Sequence, residues 1–145
     1  MENLNTRLQG IAPRRVYNLL MGQLEHKMGL SRLHNLPAKL SVESGNICNL
    51  RCPLCPTGQH DPSARKGLLP LQTFKKVIDE LGGGLLLLRL YDWGEPLLNP
   101  ELVPMIEYAS ARAIPVKIST NLSLKLDEAQ MRALLSSGLR KMYVS

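Results

Sequence analysis

Aromatic residues are scarce in this chain of 145 residues, with one Phe and one Trp, and the apolar content is aliphatic. No apolar run approaches the roughly 20 residues that a membrane-spanning helix needs, so a span is excluded. A secretory signal is absent too, because Asn3, Asn5, Gln9, Arg14 and Arg15 interrupt any apolar stretch at the start. The protein is therefore expected in the cytoplasm. Cysteine is limited to three residues between Cys48 and Cys55, an odd number in a reducing compartment. That excludes a disulfide framework and points to a metal or cluster site. Acidic residues are few near the start: the first forty residues carry six Arg or Lys against Glu2 and Glu25, which is +4 of the chain's net +6. No aromatic-rich basic patch accompanies this charge, so nucleic acid is not an expected partner and solvated surface charge is the simpler reading.

What is present is an ordinary globular balance, 44% hydrophobic and 21% charged, in a length typical of one domain. Val16, Leu19, Leu20, Leu24 and Met28 recur near helical spacing, which predicts a helix over Pro13–Met28 with its apolar face laid on the core. Residues 1–40 thus read as a helical extension and 41–145 as the main domain. A strand is expected over Leu40–Ile47, then a long loop over Cys48–Pro70. Leu71, Phe74, Val77, Ile78 and Leu81 mark a helix stopped by Gly82, Gly83 and Gly84. The nearly continuous apolar run Leu85–Tyr91 predicts a strand buried on both faces of a parallel sheet. A helix around Leu102, Ile106, Ala109 and Ala113 follows, its start left open by Pro104, and then a strand over Pro115–Thr120. Asp127 reads as the N-cap of a third helix after the cysteine loop, with Gln130 completing a capping box and Leu126 stapled to Met131. Leu139–Val144 is a fourth strand. Strand ends near Asp92, Thr120 and Ser145 lie 28 and 25 residues apart, close to the roughly 30-residue βαβ repeat, so the fold class is α/β with parallel strands.

In such folds ligands bind at the carboxyl ends of the strands. Cys48, Cys52 and Cys55 follow the first strand, Gly94 and Glu95 the second, Ser119 and Asn121 end the third, and Ser145 ends the fourth. The spacing C-x3-C-x2-C lets one loop wrap three corners of a cubane cluster and leaves one iron open for a substrate or cofactor. A second reading is a Cys3His zinc site completed by His60, in which a zinc or a closed cluster merely staples the loop of a non-catalytic binding module. Glu95 taken alone reads as a surface carboxylate beside a turn proline, and Ser119, Asn121 and Ser145 read equally well as turn and cap residues. Lys117 and Lys141 read as solvated charge.

Cys48-x3-Cys52-x2-Cys55 resembles the signature of the radical S-adenosylmethionine superfamily. Trp93-Gly94-Glu95-Pro96 is similar to its Gly-Gly-Glu-Pro turn, and Ser119-Thr120-Asn121 to its Ser-Thr-Asn segment. The resemblance runs from about Val42 to Ser145. It implies a partial (βα)6 TIM-like barrel, truncated after about the fourth strand. It further implies a [4Fe-4S] cluster on Cys48, Cys52 and Cys55, whose open iron chelates S-adenosylmethionine and releases a 5′-deoxyadenosyl radical that abstracts a substrate hydrogen. By position, Gly94 and Glu95 would meet the methionine amino group, and Ser119, Asn121 and Ser145 the ribose or carboxylate. No residue is given a catalytic role. Implied partners are a small-molecule or peptide substrate and an electron donor such as flavodoxin or ferredoxin. Leu54 and Trp93 depart from the family's usual aromatic and glycine. Pro56-Thr57-Gly58 and Lys66-Gly67 resemble members with a C-terminal cluster-binding extension called SPASM.

Overall fold

The structure is a computed structural model and describes residues 12–145. Glu2, Asn3, Asn5, Arg7 and Gln9, on which part of the N-terminal reading rests, lie outside the described residues. The elements are α1 (Pro13–Lys27), β1 (Lys39–Ser41), α2 (Leu71–Leu81), β2 (Leu87–Arg89), a 3-10 turn (Pro96–Leu98), α3 (Leu102–Ser110), β3 (Val116–Thr120), α4 (Glu128–Ser136) and β4 (Lys141–Val144). The four strands form one parallel sheet in the order β1-β2-β3-β4, as the strand–helix alternation predicts.

Pairing explains why the first two strands are shorter than the apolar runs. The β1–β2 ladder continues past Ser41 only through the Val42 N–H to the Arg89 carbonyl, 2.8 Å. Beyond it Glu43 and Gly45 turn to meet the loop after β2. Helices α2, α3 and α4 bury one face of the sheet: Phe74, Ile78, Met105, Ile106, Ala109 and Leu134 pack with Leu88, Leu90, Val116 and Ile118. Among the described residues nothing covers the other face, which corrects the expectation of a strand buried on both sides. Leu87 is half-buried and Arg89 exposed, because alternate residues of β2 point to that open face. Pro104 stands at the third helical position of α3, where the backbone N–H has no intrahelical partner to lose. The capping box at Asp127 and Gln130 forms as read, and Leu126 and Met131 line one groove along α4.

The helix α1 also forms, but only part of its expected apolar face turns inward, with Val16 and Leu19 half-buried. Tyr17, Leu20, Leu24 and Met28 are 64%, 58%, 50% and 62% exposed, while Glu25 is buried. Polar anchors decide which face turns inward. Arg15 donates to the carbonyls of Ala113 and Arg112, and Asn18 exchanges hydrogen bonds with the Leu36 backbone at 2.8 and 2.7 Å. Glu25 accepts from the backbone N–H groups of His34 at 2.9 Å and Asn35 at 3.4 Å. The His34 N–H, the strongest of these influences, holds the Glu25 carboxyl below its ordinary range. These partners precede β1 and β3, so α1 lies across the amino ends of the strands, opposite the cysteine loop.

Candidate functional site

Three chain segments meet at the carboxyl rim of the sheet, and two carboxylates join them. Glu43, two residues past β1, accepts the backbone N–H groups of Trp93 and Gly94 on one oxygen at 3.0 and 2.8 Å. The Trp93–Pro96 turn is pressed so closely against β1's continuation that a Cβ on Gly94 would lie 1.7 Å from the Gly45 carbonyl oxygen. Only glycine fits there. Glu95 is 3% exposed. Its Oε1 accepts the Thr120 hydroxyl at 2.6 Å and the Leu97 N–H at 3.1 Å, its Oε2 accepts the Asn121 N–H at 2.8 Å, and its own N–H donates to the Ile47 carbonyl at 2.8 Å. A buried carboxylate with three donors is compensated, and Glu95 is thereby the fastener between the turn after β2 and the end of β3.

The cysteine loop starts one residue after Ile47. Cys48 and Cys55 are half-buried, Cys52 is exposed, and all three are free thiols. The Cys55 N–H to the Cys52 carbonyl, 3.2 Å, and the Gln59 N–H to the Cys55 carbonyl, 3.0 Å, coil the loop. Gly58 packs on its outside, where a Cβ would stand 2.7 Å from both the nitrogen and the carbonyl oxygen of Cys52. Asp61 closes the far end by accepting the hydroxyl and N–H of Ser63, which together hold its carboxyl below the ordinary range.

Asn121 links the loop to β3. Its amide donates to the Cys48 Sγ at 3.7 Å and to Asn49 Oδ1 at 3.1 Å, and the Asn49 amide donates to Ser123 Oγ at 2.7 Å. The Leu50 N–H also points at Cys48 Sγ, 3.4 Å away. Two N–H donors converging on one sulfur suit a thiolate ligand. Leu122, next to Asn121, holds a left-handed backbone at φ 48°, fixed by its N–H donating to Thr120 Oγ1 at 3.0 Å. Of the other expected contacts, Ser119 pairs in register with Tyr143, and the N–H of exposed Ser145 donates to the Thr120 carbonyl at 3.1 Å.

Three free thiols on one loop are a donor set that suits an iron–sulfur cluster, as it would a single thiophilic ion. Among the described residues no three His, Cys, Asp or Glu side chains converge on one metal position. Tetrahedral zinc would need its thiolates roughly 4 Å apart, whereas a cubane takes each cysteine on a different iron. His60 does not complete a fourth corner: its Nε2 lies 3.0 Å from the Leu50 carbonyl. Glu43, Asn49 and Thr120 went unnoticed in the sequence. A carboxylate inside an expected strand, at Glu43, was the one available signal.

The fold and rim together define a parallel α/β half-barrel with a three-thiol loop at its mouth. The family model for the radical SAM superfamily matches residues 42–145. Mycofactocin maturase MftC of Mycobacterium ulcerans is 32% identical over 104 residues, covering 70% of this chain and 26% of the relative. MftC of Mycobacterium tuberculosis is 34% identical over 87 residues, 59% of this chain and 21% of the relative. The chain thus spans about a quarter of the length of these curated relatives. Two crystal structures of BtrN share the fold at 22% identity: one in complex with AdoMet and 2-DOIA, with TM-score 0.59 over 76% of this chain and 46% of BtrN, and one in an open conformation, with TM-score 0.60 over 77% and 51%. The chain belongs to the radical SAM superfamily.

Proposed function

We propose that this chain is the cofactor-binding portion of a radical S-adenosylmethionine enzyme, in which Cys48, Cys52 and Cys55 hold a [4Fe-4S] cluster. The observation that carries this reading is the single loop of three free thiols at the strand-end rim, tied to the Trp-Gly-Glu-Pro turn and to Asn121. Bound together, cluster and S-adenosylmethionine supply a 5′-deoxyadenosyl radical for hydrogen abstraction from a substrate.

The chain's own residues bind and orient. The Leu50 N–H and the Asn121 amide offset the charge of the Cys48 thiolate, which hydrogen bonding to sulfur stabilises. Glu43 fixes the turn so that Gly94 and Glu95 face the cofactor's ammonium group. Glu95 is 3% exposed with both oxygens bonded inside the chain, so its part toward that ammonium is to hold the turn in place. Ser119 and Ser145 would serve the ribose and carboxylate as neutral donors, and Asn121, whose amide is spent on Cys48 and Asn49, would meet them from beside the cluster loop. Residues 1–40 act as a separate helical extension to the core domain at 41–145. Its setting is the cytoplasm, its reductant a flavodoxin or ferredoxin, and its substrate a small molecule or a peptide. The Pro56–Gly58 and Lys66–Gly67 stretches favour the SPASM type.

The test is anaerobic reconstitution with iron and sulfide. Four irons per chain, a [4Fe-4S] electron paramagnetic resonance signal on reduction and a change of that signal with S-adenosylmethionine are expected. Trp93, the chain's one tryptophan, has its carbonyl 4.0 Å from Cys55 Sγ, so its fluorescence should be quenched as the cluster forms. A colourless protein holding one zinc, or a cluster indifferent to S-adenosylmethionine, overturns the reading.

A further inference from the structure

The open face of the sheet carries a row of cations that the rim does not use. Arg89, Lys117 and Lys141 are directly in register on three adjacent parallel strands, so their side chains leave the same face. Neighbouring strands lie about 4.8 Å apart, and like charges set opposite one another destabilise a sheet. Among the described residues none of the three forms an ion pair or a side-chain hydrogen bond. Lys39 stands on the same face one layer lower, in register with Leu87.

The two carboxylates that join the rim are committed elsewhere. Glu43 is engaged by the N–H groups of Trp93 and Gly94, and Glu95 is buried on the helix side with Thr120. The layer above the row is aromatic and neutral: Tyr143 pairs in register with Ser119 and meets Tyr91 edge-on at 6.5 Å, while the Lys141 ammonium sits 4.6 Å from the Tyr143 ring centre. The result is an uncompensated cationic row beneath two tyrosines set edge to face. It lies three residues below the β3 end at Thr120 and four below Asn121, which contacts the cysteine loop.

We propose that Arg89, Lys117 and Lys141 form a binding site for an anionic substrate, one bearing a phosphate or carboxylate group. Calling the ligand a substrate rests on the proposed enzymatic reading; the anion site itself rests on the register of the row. A guanidinium between two strands suits a planar or tetrahedral oxyanion, with the ammonium groups as further point charges. An anion held there would extend past the tyrosines toward the rim.

The experiment titrates inorganic pyrophosphate, and separately succinate, into the full chain and follows the thermal midpoint, with sodium chloride at matched ionic strength as reference. A saturable rise beyond the chloride effect is expected with at least one of them. Pyrophosphate alone assigns phosphate chemistry and succinate alone assigns carboxylate chemistry. The triple variant Arg89→Gln, Lys117→Gln, Lys141→Gln should have a raised midpoint without anion, because the repulsion is gone, and a Kd for the anion weakened about tenfold or more, the loss of roughly one charge-assisted hydrogen bond. Lys117→Gln alone should show the same pattern to a lesser degree, and Lys76→Gln with Lys125→Gln should respond like the wild type. A chloride effect equal to that of both anions, or an unchanged response in the triple variant, overturns the proposal. A chain that binds the anion but assembles no cluster sinks the enzymatic reading and leaves this site standing; the reverse result does the opposite.

Discussion

Replacing Glu95 by alanine removes the acceptor for three donors at once: the Thr120 hydroxyl, the Asn121 N–H and the Leu97 N–H. A buried donor left without a partner costs about 1–3 kcal/mol. The Thr120 hydroxyl can rotate and water can enter the space, so the sum falls short of three full penalties, at about 3–5 kcal/mol. That is a large part of a total stability on the order of 5–15 kcal/mol. Glutamine tests the same contacts more gently. Its oxygen can stay on the Asn121 N–H while its amide donates to the Thr120 oxygen; the Leu97 N–H goes unpaired and the Thr120 hydroxyl must rotate to another acceptor, at a cost of about 1–2 kcal/mol. Urea unfolding followed by circular dichroism measures both. The Glu95→Gln chain should also keep its iron content, since Cys48 is reached through Asn121 and not directly. If Glu95→Ala costs less than about 1 kcal/mol, the carboxylate is not the fastener between β2 and β3 that its geometry describes.

Phe74 is fully buried among the helices and the sheet, so Phe74→Ala should lower stability by about 3–5 kcal/mol in the same unfolding measurement. Gly58→Ala pushes a Cβ into the Cys52 backbone; bound iron after reconstitution should fall severalfold while the free energy of unfolding stays within about 0.5 kcal/mol of wild type. Gly94→Ala meets the Gly45 carbonyl at the rim itself, and both iron content and stability should drop, read by iron assay and urea titration on one sample. Glu25 has its carboxyl pKa lowered on folding, so the stability it contributes is present above the ordinary carboxylate range and is lost as pH falls through the lowered value. Hydrogen exchange within α1 should accelerate in that acid window, and Glu25→Gln should remove the pH dependence.

Much of the architecture was legible because its signals are local. The apolar spacing of Phe74 and Ile78, the Asp127–Gln130 box and the glycine stops each depend on a few neighbouring residues, and all four strands follow. What stayed hidden depends on partners far away in sequence. The inward turn of α1 is set by carbonyls at Arg112 and Ala113, which no periodicity within Pro13–Met28 reveals. Strand lengths were overread because an apolar run marks where pairing is possible, while the partner decides where it stops. At the site, the cysteines and the Gly94–Glu95 pair stood out by spacing. Glu43 and Thr120 make their fastening contacts across 51 and 25 residues, so neither the carboxylate in an expected strand nor the Ser119–Asn121 segment revealed the partner. Lys117 and Lys141 looked like ordinary surface charge until the register set them side by side.

The attachment of α1 has a mechanical consequence. Because its fixed contacts with the core are guanidinium, amide and carboxylate hydrogen bonds and its apolar residues are at most half-buried, peeling it away wets little hydrocarbon and water can replace each bond it breaks. The free energy of that opening should therefore sit well below global unfolding. Limited proteolysis should clip near the Gly29–Pro37 connection and leave the sheet and its cysteine loop intact.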